Sequence, residues 1–229
     1  MFNKEKLETT RMKEVFYPEY QALITEVNLS SMVFALNQIR QAESSWGYEF
    51  AKEAIFRIGH HRTFTKTYNS MTRVFNSTNV TGGLDNYHHF ICSVICSDGQ
   101  KSDGQKSDGQ KYVGIIILRF APRNTTDNAP QIAYILTYPN GYGYGSLLVQ
   151  HAVNISLDAG YDGKLDVNSE PDAEMFYQKL GFEKPKPILG LINMQLTPAD
   201  SDKWRKTDDG FQPSKSRHPL NSNWRCNIL

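Results

Sequence analysis

The sequence predicts an α/β or α+β protein in which helices flank one central sheet. Runs of β-branched and aromatic residues, typical of strands, alternate with segments whose apolar residues recur every three or four positions, as in amphipathic helices. The composition agrees, because 39% of the 229 residues are hydrophobic and 21% are charged, as in a folded globular chain. A chain of this length suits one domain with attached segments.

The first half of the chain begins with a lead segment, residues 1–27, to which we assign no chemistry. Its last six residues, 22–27, are a short strand candidate. From Asn28 onward, the spacing of apolar residues predicts a helix: Leu29, Met32, Val33, Leu36 and Ile39. A second helix is predicted over residues 50–58, and we expect Gly59 to end it.

A hairpin with an expanded tip is predicted next. Residues 87–97 and 112–120 are rich in β-branched and aromatic side chains, which favour strands. Between them the unit Ser-Asp-Gly-Gln-Lys occurs three times over residues 97–111. Asp-Gly is typical of turns, so we interpret the repeat as a solvated loop. Residues 131–138 predict the strand that follows.

The remaining elements of the predicted domain, residues 28–196, alternate between helix and strand. The pattern predicts a helix over 146–159, a strand over 164–168, a helix over 171–180 and a strand within 188–196. Glycines follow both helices and are expected to end them.

The tail, residues 197–229, is polar and shows no periodic pattern, yet it carries three large aromatic residues: Trp204, Phe211 and Trp224. Such side chains are rarely left in solvent, so we expect the tail to dock on the domain. Its basic residues leave a contact with phosphate or an acidic partner open.

Charge and cysteine content limit the function classes. The chain has 25 basic and 24 acidic residues, a formal net charge of +1, which does not supply the broad basic surface of non-specific nucleic-acid or membrane binding. No apolar run has the length of a membrane span, and the first residues lack a signal-peptide pattern. Three cysteines favour a reducing compartment. We therefore expect a cytoplasmic protein, with delivery by specialised secretion left open.

The segment most informative about chemistry joins the strand at 131–138 to the helix at 146–159 through three alternating glycines: Gly141, Gly143 and Gly145. Glycine lacks the Cβ that keeps phosphate oxygens away from backbone amides, and a helix N-terminus attracts anions. The pattern predicts a diphosphate site. A tight turn that merely joins two elements is the alternative.

Two known phosphate-binding patterns fit this loop poorly. A P-loop requires a lysine after its last glycine, but Gly145 is followed by Ser146. A dinucleotide-binding fingerprint requires Gly-x-Gly-x-x-Gly, whereas the order here is Gly-x-Gly-x-Gly. Asp166 lies about where the ribose-binding acid of that fingerprint is sought, so a Rossmann-like oxidoreductase is kept as a third alternative.

A third pattern fits better. Residues 140–145 resemble the acyl-CoA pyrophosphate motif of the GNAT acyltransferase superfamily, Arg/Gln-x-x-Gly-x-Gly/Ala, and residues 173–182 are similar to its second signature, Ala-x-x-x-Tyr-x-Lys-x-Gly-Phe. The resemblance covers roughly residues 112–196 and implies a mixed, mainly antiparallel sheet flanked by helices. Two positions depart from it: Asn140 replaces the usual Arg or Gln, and Glu170 stands where the family often has Asn.

The resemblance implies an N-acyltransferase that moves an acetyl group from acetyl-CoA to a primary amine by direct attack in a ternary complex. Backbone groups of Ile135, Leu136 and Thr137 would hold the pantetheine. Residues of the loop and first helical turn would hold the diphosphate: Asn140, Gly141, Gly143, Gly145 and Ser146. Tyr177 would contact the cofactor and act as the general acid that protonates the leaving thiolate.

The general base, the acceptor and the assembly stay open. Glu170 is our first candidate for the base, and Tyr134 and His89 are alternatives. The acceptor is a small molecule, a protein lysine or an N-terminus, and a homodimer is compatible with the sequence. A catalytically inactive CoA-binding sensor or interaction module is the alternative function.

No metal site is predicted. His88, Cys92 and Cys96 share one face of a predicted strand, but neighbours four residues apart are separated by about 13 Å at a rise of ~3.3 Å per residue. One zinc ion, with bonds of ~2.0–2.3 Å, does not hold three such ligands.

Overall fold

A computed structural model describes residues 14–17, 21–46, 54–76, 86–97, 108–120, 129–139, 141–184 and 192–214. The strands are β1 (Val15–Tyr17), β2 (Ala22–Val27), β3 (Tyr87–Ser97), β4 (Asp108–Arg119), β5 (Gln131–Thr137), β6 (Leu165–Ser169), β7 (Ile192–Leu196), β8 (Trp204–Thr207) and β9 (Gly210–Pro213). The helices are α1 (Leu29–Trp46), α2 (Ala54–Asn76), α3 (Tyr144–Asp158) and α4 (Glu174–Lys179), the last entered through a 3-10 turn at Pro171–Ala173.

Seven strands form one sheet in the order β1 to β7, and every neighbouring pair is antiparallel except β5 and β6. The predicted fold class, a mixed and mainly antiparallel sheet flanked by helices, is confirmed. A doubly wound dinucleotide-binding domain has a mostly parallel sheet, so this sheet lacks the architecture of the Rossmann-like alternative. None of the helices in the described ranges has the length and apolar character needed to cross a membrane.

Helix α3 covers one face of the sheet, and α1 and α2 cover the other. Successive residues of a strand point to opposite faces, so the continuous apolar run of β4 contributes to the core on both faces of the sheet. The core beneath α3 includes Phe90, Ile116, Leu118, Leu148 and Ala152. The core beneath α1 and α2 includes Met32, Leu36, Phe64, Met71, Ile91, Ile115 and Ile117.

Helix α2 is longer than predicted. We expected it to end at Gly59, but it continues to Asn76. Phe64, Met71 and Phe75 lie at helical spacing and are buried against the sheet, and their burial outweighs the ~1 kcal/mol that one internal glycine costs. The prediction was wrong because it gave the local glycine signal more weight than the apolar period beyond it.

A hairpin, β8 and β9, follows β7 and was not predicted. Trp204 and Phe211 are buried in the core beneath α3, and the Trp204 indole N–H donates to the carbonyl of Leu180 at 2.7 Å. The Asn154 amide side chain, from α3, bonds both backbone groups of Phe211, at 2.7 and 3.2 Å. The chain up to Ser214 therefore packs on α3 and the end of α4. Trp224 lies outside the described residues.

Candidate functional site

Strands β5 and β6 part after a short parallel contact. Gln131 pairs with Asp166 and Ile132 pairs with Val167, and no further pairing joins the described parts of these two strands. Beyond this point β5 continues along β4, whereas β6 continues along β7. The carboxyl ends of β5 and β6 are therefore not paired with each other in the described residues, and we call the space between them the gap.

A β-bulge at Ala133 decides which backbone groups of β5 face this gap. Ile117 of β4 pairs with Tyr134, and the next residue, Leu118, pairs with Ile132, so Ala133 is the extra residue of the bulged strand. Along a strand, the backbone N–H and C=O groups of successive residues point alternately toward one neighbouring strand and the other. An inserted residue shifts this order by one position for all the residues beyond it.

A hydrogen bond at the end of β5 shows which of its backbone groups beyond the bulge point toward β4. The Tyr138 N–H donates to the carbonyl of Val113 in β4 at 2.9 Å. Alternate residues of an antiparallel strand point the same way, so Leu136 also turns its backbone groups toward β4. The N–H and C=O of Ile135 and Thr137 therefore point into the gap. Of the three predicted pantetheine residues, the structure brings these two to the gap and buries the Leu136 side chain beneath α1 and α2.

The gap ends at the glycine loop and the N-terminus of α3. Gly141 and Gly143 have φ angles of 88° and 82°, a region that side chains rarely adopt. Gly143 is the N-cap, without a side-chain cap, and the first turn has no acidic residue. The amides of Tyr144, Gly145 and Ser146 precede the first intrahelical bond, from Leu147 to Gly143, and have no partner within the helix. Asn140 lies outside the described residues.

The same helical turn contacts α4. A Cβ on Gly145 would lie 3.2 Å from two ring atoms of Phe176. The next residue, Tyr177, is 4% exposed, and its ring packs edge-on against Phe176 and Phe182 at 5.0 and 5.2 Å between centroids. Burial raises the pKa of Tyr177 well above its ordinary value, so this phenol keeps its proton at neutral pH. The predicted general acid is thus a protonated group on the helix that touches the loop.

Glu170 follows the last residue of β6 and therefore lies on the other side of the gap from Ile135 and Thr137. Its carboxylate is ion-paired: the Lys66 ammonium of α2 donates to Oε2 at 2.6 Å, and both side chains are more than half exposed. The predicted base is thus placed at the gap but already has a cationic partner. Lys66 was not predicted as a site residue, since it lies 104 positions from Glu170 and no motif links the two.

The two alternative bases lie away from the gap. His89, on β3, pairs with Ile117 of β4, so its strand is separated from β5 by β4. Burial lowers the pKa of His89, and its Nε2 is buried without a hydrogen-bond partner among the described residues. The Tyr134 side chain packs beneath α2, where the Phe75 ring contacts both Tyr134 and His89. The geometry therefore favours Glu170.

Among the side chains that the structure describes, which include His88, His89 and Cys92 of β3 but not Cys96, no three His, Cys, Asp or Glu side chains come together. His88 Nδ1 lies 2.7 Å from the Glu26 carboxylate. Cys92 is a buried free thiol whose pKa is raised by burial to about 12.

No family model matches the sequence, and no curated protein matches it. Among solved structures, the chain is similar to a protein from Desulfovibrio desulfuricans described as an acetyltransferase of the GNAT family: identity is 15%, the TM-score is 0.46, and 76% of this chain and 98% of that chain are covered. It is also similar to the PaiA N-acetyltransferase of Thermoplasma acidophilum in complex with coenzyme A, at 15% identity and a TM-score of 0.41 over 76% and 97% of the two chains. Tetrahymena GCN5 matches at 13% identity and a TM-score of 0.39 over 58% and 78%. Likenesses of this size concern the fold alone.

Proposed function

We propose that this chain binds acetyl-CoA along the gap between β5 and β6 and transfers the acetyl group to a primary amine by direct attack in a ternary complex. The observation that carries the proposal is the gap itself. The β5 side of the gap offers backbone N–H and C=O groups, those of Ile135 and Thr137, that pair with no strand in the described ranges, and the end of the gap offers the amides of a helix whose N-cap, Gly143, makes no side-chain cap bond. A pantetheine arm needs such donors and acceptors, and a diphosphate needs such a helix end.

The glycine loop suits a diphosphate in shape as well as in charge. A Cβ on Gly141 would meet nothing within 4 Å, so this side of the loop is open. The positive end of the α3 dipole favours phosphate oxygens, and the Ser146 hydroxyl adds a donor in the same turn. Asn140 is a further proposed contact, at the position that the family motif gives to Arg or Gln.

Tyr177 is the proposed general acid. Bound acetyl-CoA supplies an activated acyl group and a thiol leaving group. A phenol within hydrogen-bond reach of the departing sulfur can donate its proton to the thiolate. The contact of α4 with the first turn of α3 supports this role, because the cofactor diphosphate is proposed to bind at that turn.

Glu170 is the proposed general base. An amine reaches the site as an ammonium and must lose a proton before it attacks. The Glu170 carboxylate is a site for an ammonium group, as its contact with Lys66 demonstrates. An external acceptor has to take the place of Lys66 on this carboxylate.

An assay of CoA release tests the proposal. Purified protein is mixed with acetyl-CoA and a panel of primary amines that includes polyamines, an aminoglycoside and a lysine peptide. We expect free CoA to appear only with an amine present, and to appear more slowly with Tyr177→Phe. Acetyl-CoA binding without CoA release would favour the inactive CoA-binding module. The cytoplasmic location, the absence of nucleic-acid partners and a homodimeric state stay predictions.

A further inference from the structure

The ion pair between Lys66 and Glu170 links the β5 side to the β6 side of the gap, beyond the last residues at which these two strands pair. Lys66 belongs to α2, which covers β5, and Glu170 follows β6 on the other side of the gap. The side chains are 60% and 56% exposed, and exposed pairs contribute little to stability. The pair therefore brings a primary amine to the proposed base without being needed for the fold.

Helix α2 places this amine beside the segment of β5 that faces the gap. The Phe64 ring packs on Tyr138 at 6.0 Å and the Phe75 ring packs on Tyr134 at 6.3 Å, so α2 runs along β5 in the opposite direction. Lys66, two residues after Phe64, is level with the carboxyl end of β5. Its neighbour Thr65 faces α1, where Arg40 bonds its hydroxyl. Successive residues of a helix are rotated by about 100° around its axis. Lys66, the residue after Thr65, therefore extends away from α1.

We propose that Lys66 is itself an acetyl acceptor of this protein: its ammonium, held on Glu170, takes an acetyl group from acetyl-CoA bound at the glycine loop. This inference rests on the proposed function. The lysine stem has four methylenes, so Nζ can move from the carboxylate into the gap without movement of the backbone. An amine tethered beside the thioester reacts at a high effective concentration.

The transfer balances in protons and electrons. One proton passes from Nζ to Glu170 Oε2, and the nitrogen lone pair then attacks the thioester carbonyl carbon. A C–N bond forms as the C–S bond breaks, and the sulfur leaves with the bonding pair. The thiolate is protonated by Tyr177, which regains a proton from the nitrogen through solvent. The products are Nε-acetyl-Lys66, free CoA and one proton, which Glu170 releases to solvent.

The modification changes the site. Acetyl-Lys66 has no positive charge, so the Glu170 carboxylate loses its ammonium partner and becomes available to an external amine. Self-acetylation would therefore remove the internal competitor for the base.

The chain contains a matched control. Lys184 pairs with Glu174 at 2.6 Å, the same distance as in the pair of Lys66 with Glu170, and its side chain is 47% exposed. Both partners of this second pair belong to α4 and the segment after it, so the pair does not cross the gap. Chemical acetylation by acetyl-CoA in solution would label both lysines, whereas transfer within the site would label Lys66.

The experiment uses full-length protein, treated with a lysine deacetylase, and carbon-13-labelled acetyl-CoA, with peptide mass spectrometry over time. We expect label at Lys66 to approach one acetyl per chain, with a rate constant independent of protein concentration. Tyr177→Phe and Glu170→Gln should each slow labelling of Lys66 by at least about tenfold and leave labelling of Lys184 unchanged. Lys184→Arg should leave Lys66 labelling unaffected.

Two results would overturn the inference: equal labelling of Lys66 and Lys184, or labelling of Lys66 that neither Tyr177→Phe nor Glu170→Gln slows. Calorimetric titration of Lys66→Arg with acetyl-CoA separates this inference from the proposed function. Binding to Lys66→Arg, together with an unlabelled Lys66 in the unsubstituted protein, would overturn the inference and leave the proposed function standing. Absence of acetyl-CoA binding by both proteins would overturn the two together.

Discussion

Gly145 of α3 lies against the ring of Phe176 of α4, so close that a Cβ would be 3.2 Å from two ring atoms. This contact connects the two segments that carry the proposed chemistry. The turn that begins at Gly143 would hold the diphosphate, and the residue after Phe176 is the proposed acid. The absence of a side chain at position 145 therefore lets α4, which carries Tyr177, pack closely on the turn where the diphosphate is proposed to bind.

Removal of the Tyr177 hydroxyl should affect catalysis much more than stability. Tyr177→Phe keeps the ring that packs on Phe176 and Phe182, so we expect unfolding in urea to change little. Loss of a general acid lowers rates by about 10²–10⁴-fold, and we expect kcat for CoA release to fall within this range. Binding of acetyl-CoA, measured by calorimetry, is the control and should persist. Unchanged kcat would place the acid elsewhere.

A negative charge in the first turn of α3 should stabilise the protein and weaken cofactor binding. Ser146→Asp places a carboxylate at a helix N-terminus that has no acidic residue, which should add about 0.3–1 kcal/mol to the free energy of unfolding. The same charge repels a diphosphate, so the Kd for acetyl-CoA should rise at least tenfold. Ser146→Ala is the uncharged control and should bind more tightly than Ser146→Asp. Equal affinity of the two variants would show that the diphosphate does not bind at this helix end.

His151 should make the protein less stable in acid. It is 2% exposed in α3, its Nδ1 lies 3.2 Å from the Tyr17 hydroxyl, and burial lowers its pKa from 6.5 to about 4. Between these values the unfolded chain binds a proton that the folded chain does not, so stability falls as the pH falls from 6.5 to 4. The shift corresponds to about 3 kcal/mol when complete.

Urea unfolding at pH 7.5 and pH 5 measures this effect. His151→Gln cannot titrate and can still bond Tyr17, so its stability should depend less on pH than that of the unsubstituted protein. The pKa of His89 is also lowered by burial, so the variant should keep part of the dependence. Identical pH dependence of the two proteins would contradict the account of His151.

Asn154 should hold the C-terminal hairpin on α3. Asn154→Ala removes both of its bonds to the Phe211 backbone, and we expect a loss of about 1–3 kcal/mol because those backbone groups are left without a partner. Amide hydrogen exchange in β8 and β9 should become faster. Thr207→Ala, which removes a bond to Gly210 within the hairpin turn, is the control and should affect only the turn. Unchanged exchange at Phe211 in Asn154→Ala would show that Asn154 is dispensable for docking.

Local sequence patterns were sufficient for much of the sheet and for the glycine loop. The run from Ile115 to Leu118 is buried on both faces of the sheet, and a continuous β-branched segment is the sequence pattern of such a strand. Gly141 and Gly143 adopt the positive φ angles that made glycine informative there. In the strand the requirement is burial on both faces, and in the loop it is a positive φ angle. Each of these local requirements determines the residue type by itself.

Features that depend on distant contacts were not predictable in this way. The bulge at Ala133 and the parting of β5 from β6 are set by pairing with two neighbouring strands, and nothing in the sequence of β5 marks them. The pairing of Lys66 with Glu170 arises only when α2 is laid along β5. Trp204 and Phe211 predicted docking of the tail, but the short strands that carry them are fixed by contacts with Asn154 and Leu180.

Thermal unfolding with and without ligand measures whether the glycine loop and the gap beside it bind acetyl-CoA. A ligand at about 100 times its Kd adds ~2.7 kcal/mol to stability, which for a chain of this size raises Tm by roughly 5–10 °C. We expect this rise with acetyl-CoA, no rise with NAD, and a smaller rise with the same concentration of acetyl-CoA in Ser146→Asp. A rise with NAD, or an unchanged Tm with saturating acetyl-CoA, would contradict acetyl-CoA binding at this site.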